Sequence, residues 1–104
     1  MDFIATLYYR TFEEGGRSRP ALTGYRPEVK FDFDPMITCG IQSFLDQEEV
    51  YPGCIVEAMI NIIAVPHFKG RLEEGMEFTF SEGPRIIGTG IIKEILNKEL
   101  KIEK

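Results

Sequence analysis

Histidine and cysteine are scarce in this 104-residue sequence, which holds one histidine, His67, and two cysteines, Cys39 and Cys54. A single histidine excludes a His-rich zinc site and cannot complete a mononuclear Cys2His2 centre. Neither cysteine stands in a C-x-x-C or other ligand-spaced pattern, so no metal is expected. The two thiols read as small buried hydrophobes of an intracellular chain. Long hydrophobic runs are missing too. The longest, Met59 to Pro66, is interrupted by Asn61 and falls far short of the roughly 20 residues of a membrane span. Met1-Asp2-Phe3-Ile4 has no basic region ahead of an apolar stretch, so it does not read as a signal peptide. These absences lead us to expect a soluble, cytoplasmic domain that does not engage a membrane.

Motifs for nucleotide chemistry are also lacking. No G-x-x-x-x-G-K-[ST] loop is present to cradle phosphates. Gly88-Thr89-Gly90 is not completed by a third glycine, and Asn97-Lys98-Glu99-Leu100 has leucine where a guanine-reading carboxylate would stand. Glu73 and Glu74 are adjacent and would diverge on a strand or loop, a poor acid/base pair. His67 has no orienting partner at a telling spacing and reads as a loop histidine exposed to water. The expectation is a chain that is not an enzyme, with no cofactor and no bound nucleotide.

Positive charge is missing from a third of the chain. Residues 31–65 contain Asp32, Asp34, Asp46, Glu48, Glu49 and Glu57 without a lysine or arginine, for a net charge of −6 within an overall −5. Residues 10–30 carry Arg10, Arg17, Arg19, Arg26 and Lys30 against three glutamates, for a net +2. The acidic total argues against non-specific nucleic-acid binding, while the basic segment could meet a phosphate or an acidic partner.

What is present is strand periodicity and turn residues. Hydrophobic residues make up 43% of the chain and charged residues 28%, ordinary globular usage that disfavours disorder. A chain of this length buries roughly two thirds of its unfolded surface, enough for one core. Phe3 to Thr11 is aromatic and β-branched. Val29, Phe31 and Phe33 alternate with Lys30, Asp32 and Asp34, and Thr38 to Leu45 forms a weaker strand candidate. Val56, Ala58, Ile60 and Ile62 share one face of Ile55 to Ala64. Phe78 and Phe80 alternate with Thr79 and Ser81, and Ile86 to Leu96 follows the Glu82-Gly83-Pro84-Arg85 turn. Val65 to Gly75 reads as a loop. Six short strands separated by turns predict an all-β fold, an antiparallel sandwich or barrel, over residues 1–96. Residues 97–104 form a charged C-terminal tail that is either a helical turn or frayed. The expected core comprises Val29, Phe31, Phe33, Val56, Ala58, Ile60, Phe78 and Phe80.

The turn motifs carry a more specific signal. Glu13-Glu14-Gly15-Gly16-Arg17-Ser18-Arg19-Pro20, Gly24-Tyr25-Arg26-Pro27, Pro52-Gly53 and Glu82-Gly83-Pro84-Arg85-Ile86-Ile87-Gly88-Thr89-Gly90-Ile91-Ile92 follow one another in that order. The series resembles the C-terminal domain (domain III) of elongation factor Tu, with its pattern E-G-G-R-x-x-P, G-Y-R-P, P-G and E-G-x-R-x-x-G-x-G-x-[IV]. The resemblance runs from about Ile4 to Leu96. It implies a six-stranded antiparallel β-barrel that binds rather than catalyses. In the family this barrel holds the T-stem of aminoacyl-tRNA, packs on a GTPase domain and meets the nucleotide exchange factor. These 104 residues carry neither the GTPase domain nor the other barrel, so a stand-alone domain is expected.

The family's tRNA contacts carry over in part. Arg17 matches the arginine after the double glycine, and its guanidinium suits a phosphate. Ser18 stands where histidine is common. Glu28 replaces the glutamine after Gly-Tyr-Arg-Pro and sets a carboxylate against a phosphate. Glu82-Gly83 matches, but Pro84 replaces the second glycine and removes a backbone donor. Lys69, in a loop longer than the family's, is a candidate basic position. The implied partner surface is Arg17, Ser18, Arg19, Glu28, Glu82 and Gly83 on one rim. Gly15, Gly16, Gly88 and Gly90 read as backbone requirements of the barrel. Tyr25 reads as packing at a strand start, Arg26 as pairing with a carboxylate, and Pro27 as fixing the start of the strand. The partner is then tRNA or a translation protein. The alternative is a decoy or regulator that presents this surface to protein partners without binding RNA. The oligomeric state stays open.

Overall fold

The computed structural model describes residues 1–103. In chain order its elements are β1 (Phe3–Tyr9), β2 (Ala21–Leu22), β3 (Glu28–Phe31), β4 (Ile37–Phe44), β5 (Glu49–Val50), β6 (Ile55–Ile62), α1 (Val65–Phe68), β7 (Glu77–Glu82) and β8 (Arg85–Ile95). A 3₁₀ turn follows at Lys98–Leu100. Six strands close an antiparallel barrel in the order β1-β6-β4-β3-β7-β8, and β2 pairs with β5 outside it. Among the described residues, no helix is long and apolar enough to cross a membrane.

Alternation sets the inside. Phe3, Ala5, Leu7 and Tyr9 of β1 are buried, as are Val56, Ala58, Ile60 and Ile62 of β6, while their neighbours face outward. Seven of the eight expected core residues are buried: Val29, Phe31, Val56, Ala58, Ile60, Phe78 and Phe80. Phe33 is not. Strand β3 stops at Phe31, and a turn closed by the Asp34 amide on the Phe31 carbonyl (3.2 Å) breaks the two-residue period. Phe33 is therefore 42% exposed, with the Arg71 guanidinium 5.1 Å above its ring.

The barrel closes tightly where β8 lies beside β7. Phe78 and Phe80 stand opposite Gly90 and Gly88. A Cβ at Gly90 would lie 2.3 Å from the Phe78 ring, and one at Gly88 would lie 2.2 Å from the Tyr8 carbonyl oxygen. Both glycines make room for aromatic rings, the backbone requirement expected of them. Register shifts at Phe80/Ser81 and at Ile4/Ala5, both against β8, add the local twist that closure needs.

In the loops two expectations change, and the tail takes the helical turn of its two alternatives. The Val65–Gly75 segment contains α1, which buries Phe68. The segment after β8 is tied down: Leu100 is fully buried, and the Leu72 and Ile102 amides donate to the Leu100 and Leu72 carbonyls at 2.8 and 2.9 Å. Cys39 is half-buried, but Cys54 is exposed because it leaves the Pro52-Gly53 turn ahead of β6; both thiols are free.

Candidate binding rim

The rim forms where three separate turns meet at one end of the barrel. The Glu82–Arg85 turn joins β7 to β8 and sets Glu82 directly across from Arg85. At its apex Gly83 adopts φ +58°, a left-handed conformation that favours glycine. Its amide donates to Glu28 Oε1 at 3.0 Å, pinning the turn to the start of β3. Arg17 arrives from the long β1–β2 connection. Its guanidinium ion-pairs with Glu82 Oε2, lies 4.8 Å above the Tyr25 ring, and donates through Nε to the Arg19 carbonyl at 3.3 Å. The Tyr25 hydroxyl donates to the same Glu82 oxygen.

Tyr25 also connects the rim to the interior. Its ring lies 6.3 Å from that of Tyr9, and the buried Tyr9 hydroxyl donates to Gln42 Oε1. Burial raises the pKa of both tyrosines, and for Tyr25 the Glu82 carboxylate adds to the effect. For Glu82, partial burial works to raise the carboxyl. Hydrogen bonds from Tyr25 and Arg17, with the positive charges of Arg17 and Arg85, outweigh it and hold the group below the ordinary carboxylate range. Glu82 is therefore an anion at neutral pH, held among arginines.

Together Arg17, Ser18, Arg19, Glu82 and Arg85 line a shallow depression of about 210 Å³. A neighbouring hollow of about 390 Å³ runs past Arg17, Arg19, Pro20 and Gly24 to Tyr25. Three guanidiniums face one carboxylate in the depression. Among the described residues Arg19 and Arg85 form no ion pair. Such a surface suits a phosphate or carboxylate approaching from solvent.

All six residues of the expected rim thus come together, including Glu28, although its carboxylate is engaged with the Gly83 amide. Arg85 and Tyr25 complete the site and were not foreseen as part of it; the hairpin offset that puts Arg85 across from Glu82 is the signal that could have found the arginine. Two expectations are corrected. Arg26 is exposed and pairs with no carboxylate among the described residues. His67 does have a partner, because its Nε2 lies 2.8 Å from Asp34 Oδ2. Asp34 also accepts from the Met36 amide at 2.8 Å and pairs with Arg71 at 2.9 Å. A buried carboxylate so fully engaged is a clamp that fixes α1 to the β3–β4 turn. Lys69, the residue that ends α1, is exposed and lines neither hollow of the rim.

Among the described residues no group of three or more histidine, cysteine or acidic side chains could hold a metal ion. No protein-family model matches the chain.

Proposed function

We propose that this barrel is a non-catalytic, cytoplasmic, translation-associated binding module, related in descent to the C-terminal barrel of elongation factor Tu. Its arginine rim takes the phosphodiester backbone of a tRNA stem. The observation that carries this reading is the convergence of Arg17, Arg19 and Arg85 on one depression, two of them without an ion-pair partner among the described residues. The ordered turn motifs support the descent. Two unbridged thiols fit a reducing compartment. Phosphate contacts position a nucleic acid without reading its sequence, so a rim of this kind grips a stem by shape and charge.

A second reading has its own support. Met36, Ile37 and Ile63 are exposed around a groove of about 420 Å³ that also touches Cys39 and Ala64. Clustered exposed hydrophobics of this sort favour a protein partner. Filter binding of purified tRNA over a salt series separates the two readings. The RNA reading expects log affinity to fall with log salt at a slope of roughly −2 to −3, matching two or three phosphate contacts. Absence of tRNA binding at low salt removes it and leaves the protein partner.

A further inference from the structure

The most informative feature of the rim is that its best-placed arginine is already occupied. Arg17 and Tyr25 both address one oxygen of Glu82, while beside them Arg19 and Arg85 make no ion-pair contact among the described residues. The turn that carries the carboxylate is fixed in place. It is pinned from below by the Gly83 amide on Glu28, and Arg85 lies directly across the hairpin from Glu82. Arg17 is constrained from the other side by the Tyr25 ring and the Arg19 carbonyl.

We infer that Glu82 is a built-in counterion that holds Arg17 closed against incoming anions, so that a ligand phosphate gains the full rim only by displacing it. This rests on the reading of the rim as a phosphate-binding surface. Entry occurs at Arg19 and Arg85, whose guanidiniums form no ion pair among the described residues. The ligand then competes with Glu82 for Arg17, and on success the Tyr25 hydroxyl loses its acceptor. An exposed ion pair contributes little, so an incoming anion can exchange with it, and a group bearing two or more charges does so more readily than a monoanion. Glu82 thereby favours contiguous phosphates, such as a nucleic-acid backbone or pyrophosphate, over isolated anions.

The test compares full-length wild type with Glu82→Gln, Arg17→Ala, the double variant and Glu94→Gln. The last removes the same charge nine residues further along β8 from Arg85, roughly 30 Å away and well beyond the screening length of about 8 Å. Calorimetric titration with inorganic pyrophosphate is the direct readout. The expected result is about three- to fivefold tighter binding by Glu82→Gln and no gain for Glu94→Gln. In the Arg17→Ala background the gain from Glu82→Gln disappears. Equal affinity in wild type and Glu82→Gln, including no binding by either, overturns the inference. So does an equal gain at Glu94→Gln, or a gain that persists without Arg17. A parallel series with a duplex RNA hairpin tests the translation reading separately: a chain whose pyrophosphate affinity follows Glu82 but that ignores RNA keeps the counterion and loses the tRNA proposal.

Discussion

Beyond opposite ends of β3 sit two corners built from the same kinds of side chain. At one, Glu82 joins Arg17 and Tyr25; at the other, Asp34 joins Arg71 and His67, with Phe33 beneath the guanidinium. The carboxylates differ in exposure. The Asp34 side chain is 8% exposed and that of Glu82 is 41%. Asp34 accepts from a backbone amide and faces two side chains, so opening that corner would strip a buried carboxylate of its partners. Glu82 can be replaced by solvent or by a ligand at little cost. The rim also has arginines to spare, whereas the clamp's one arginine is engaged. The same residue types make a fastener where the carboxylate is buried and an open, exchangeable rim where it is not.

Removing what holds both corners in place has the largest expected effect. Phe78 lies 5.9 Å from Phe3 and 5.5 Å from Phe31 by ring centroid and fills the space left by Gly90. Phe78→Ala should lower unfolding free energy by about 3–5 kcal/mol, measured by urea denaturation, and loosen both ends together. A loss under about 1 kcal/mol would mean that the ring is not part of a closed interior.

Asp34→Ala should come next and separate the corners. The melting temperature should fall while RNA binding at the rim is untouched. The Met36 amide first, and then His67, hold the Asp34 carboxyl below the ordinary range. A depressed folded-state pKa adds stability at and above the ordinary aspartate value of about 3.9, and that stability is lost as pH falls through the folded value. Melting curves between pH 5 and 3 should therefore slope less steeply in Asp34→Ala than in wild type. Parallel slopes would show that Asp34 is not what the fold loses in acid.

Replacing both Arg17 and Arg19 by alanine is the mirror experiment. Duplex RNA affinity should drop about tenfold, and the salt slope should flatten by roughly two as two phosphate contacts disappear. The melting temperature should stay near that of wild type, since an exposed pair adds little stability. Unchanged affinity for every partner would remove the rim as the functional surface.

How much of this was legible depends on sequence distance. Strand alternation put Phe31, Ala58, Ile60 and Phe80 inside, because a two-residue period is a local property. Phe33 failed where the strand ended one period early, which local spacing cannot show. The Asp34–His67 contact spans 33 residues and Arg17–Glu82 spans 65. Neither distance appears as a period, and only the turn motifs, taken as a set, put Arg17 and Glu82 on one rim. Arg85 and Tyr25 joined them through hairpin offset and ring stacking, which depend on the closed barrel. Leu100 went unrecognised as core because its partner Leu72 lies in a loop and meets it through an isolated parallel bridge beside Lys101.

The smallest expected effect is at Glu28, and it tests whether the rim senses geometry or only charge. From sequence, a carboxylate here opposes an incoming phosphate, so Glu28→Gln should strengthen RNA binding. The fold reduces that expectation. Glu28 Oε1 already accepts from the Gly83 amide at 3.0 Å, and its charge is directed into the turn rather than across the depression. A glutamine keeps the accepting oxygen, so the turn and the melting temperature should hold. One negative charge is lost near the rim but outside the Arg17 contact, and affinity should rise only about twofold. That is less than for Glu82→Gln, which also frees Arg17. Should Glu28→Gln match Glu82→Gln, the rim responds to net charge alone and the contrast between a pinning carboxylate and an occupying one fails. Should it weaken binding instead, the charged Glu28–Gly83 contact is what holds the hairpin in its receiving shape.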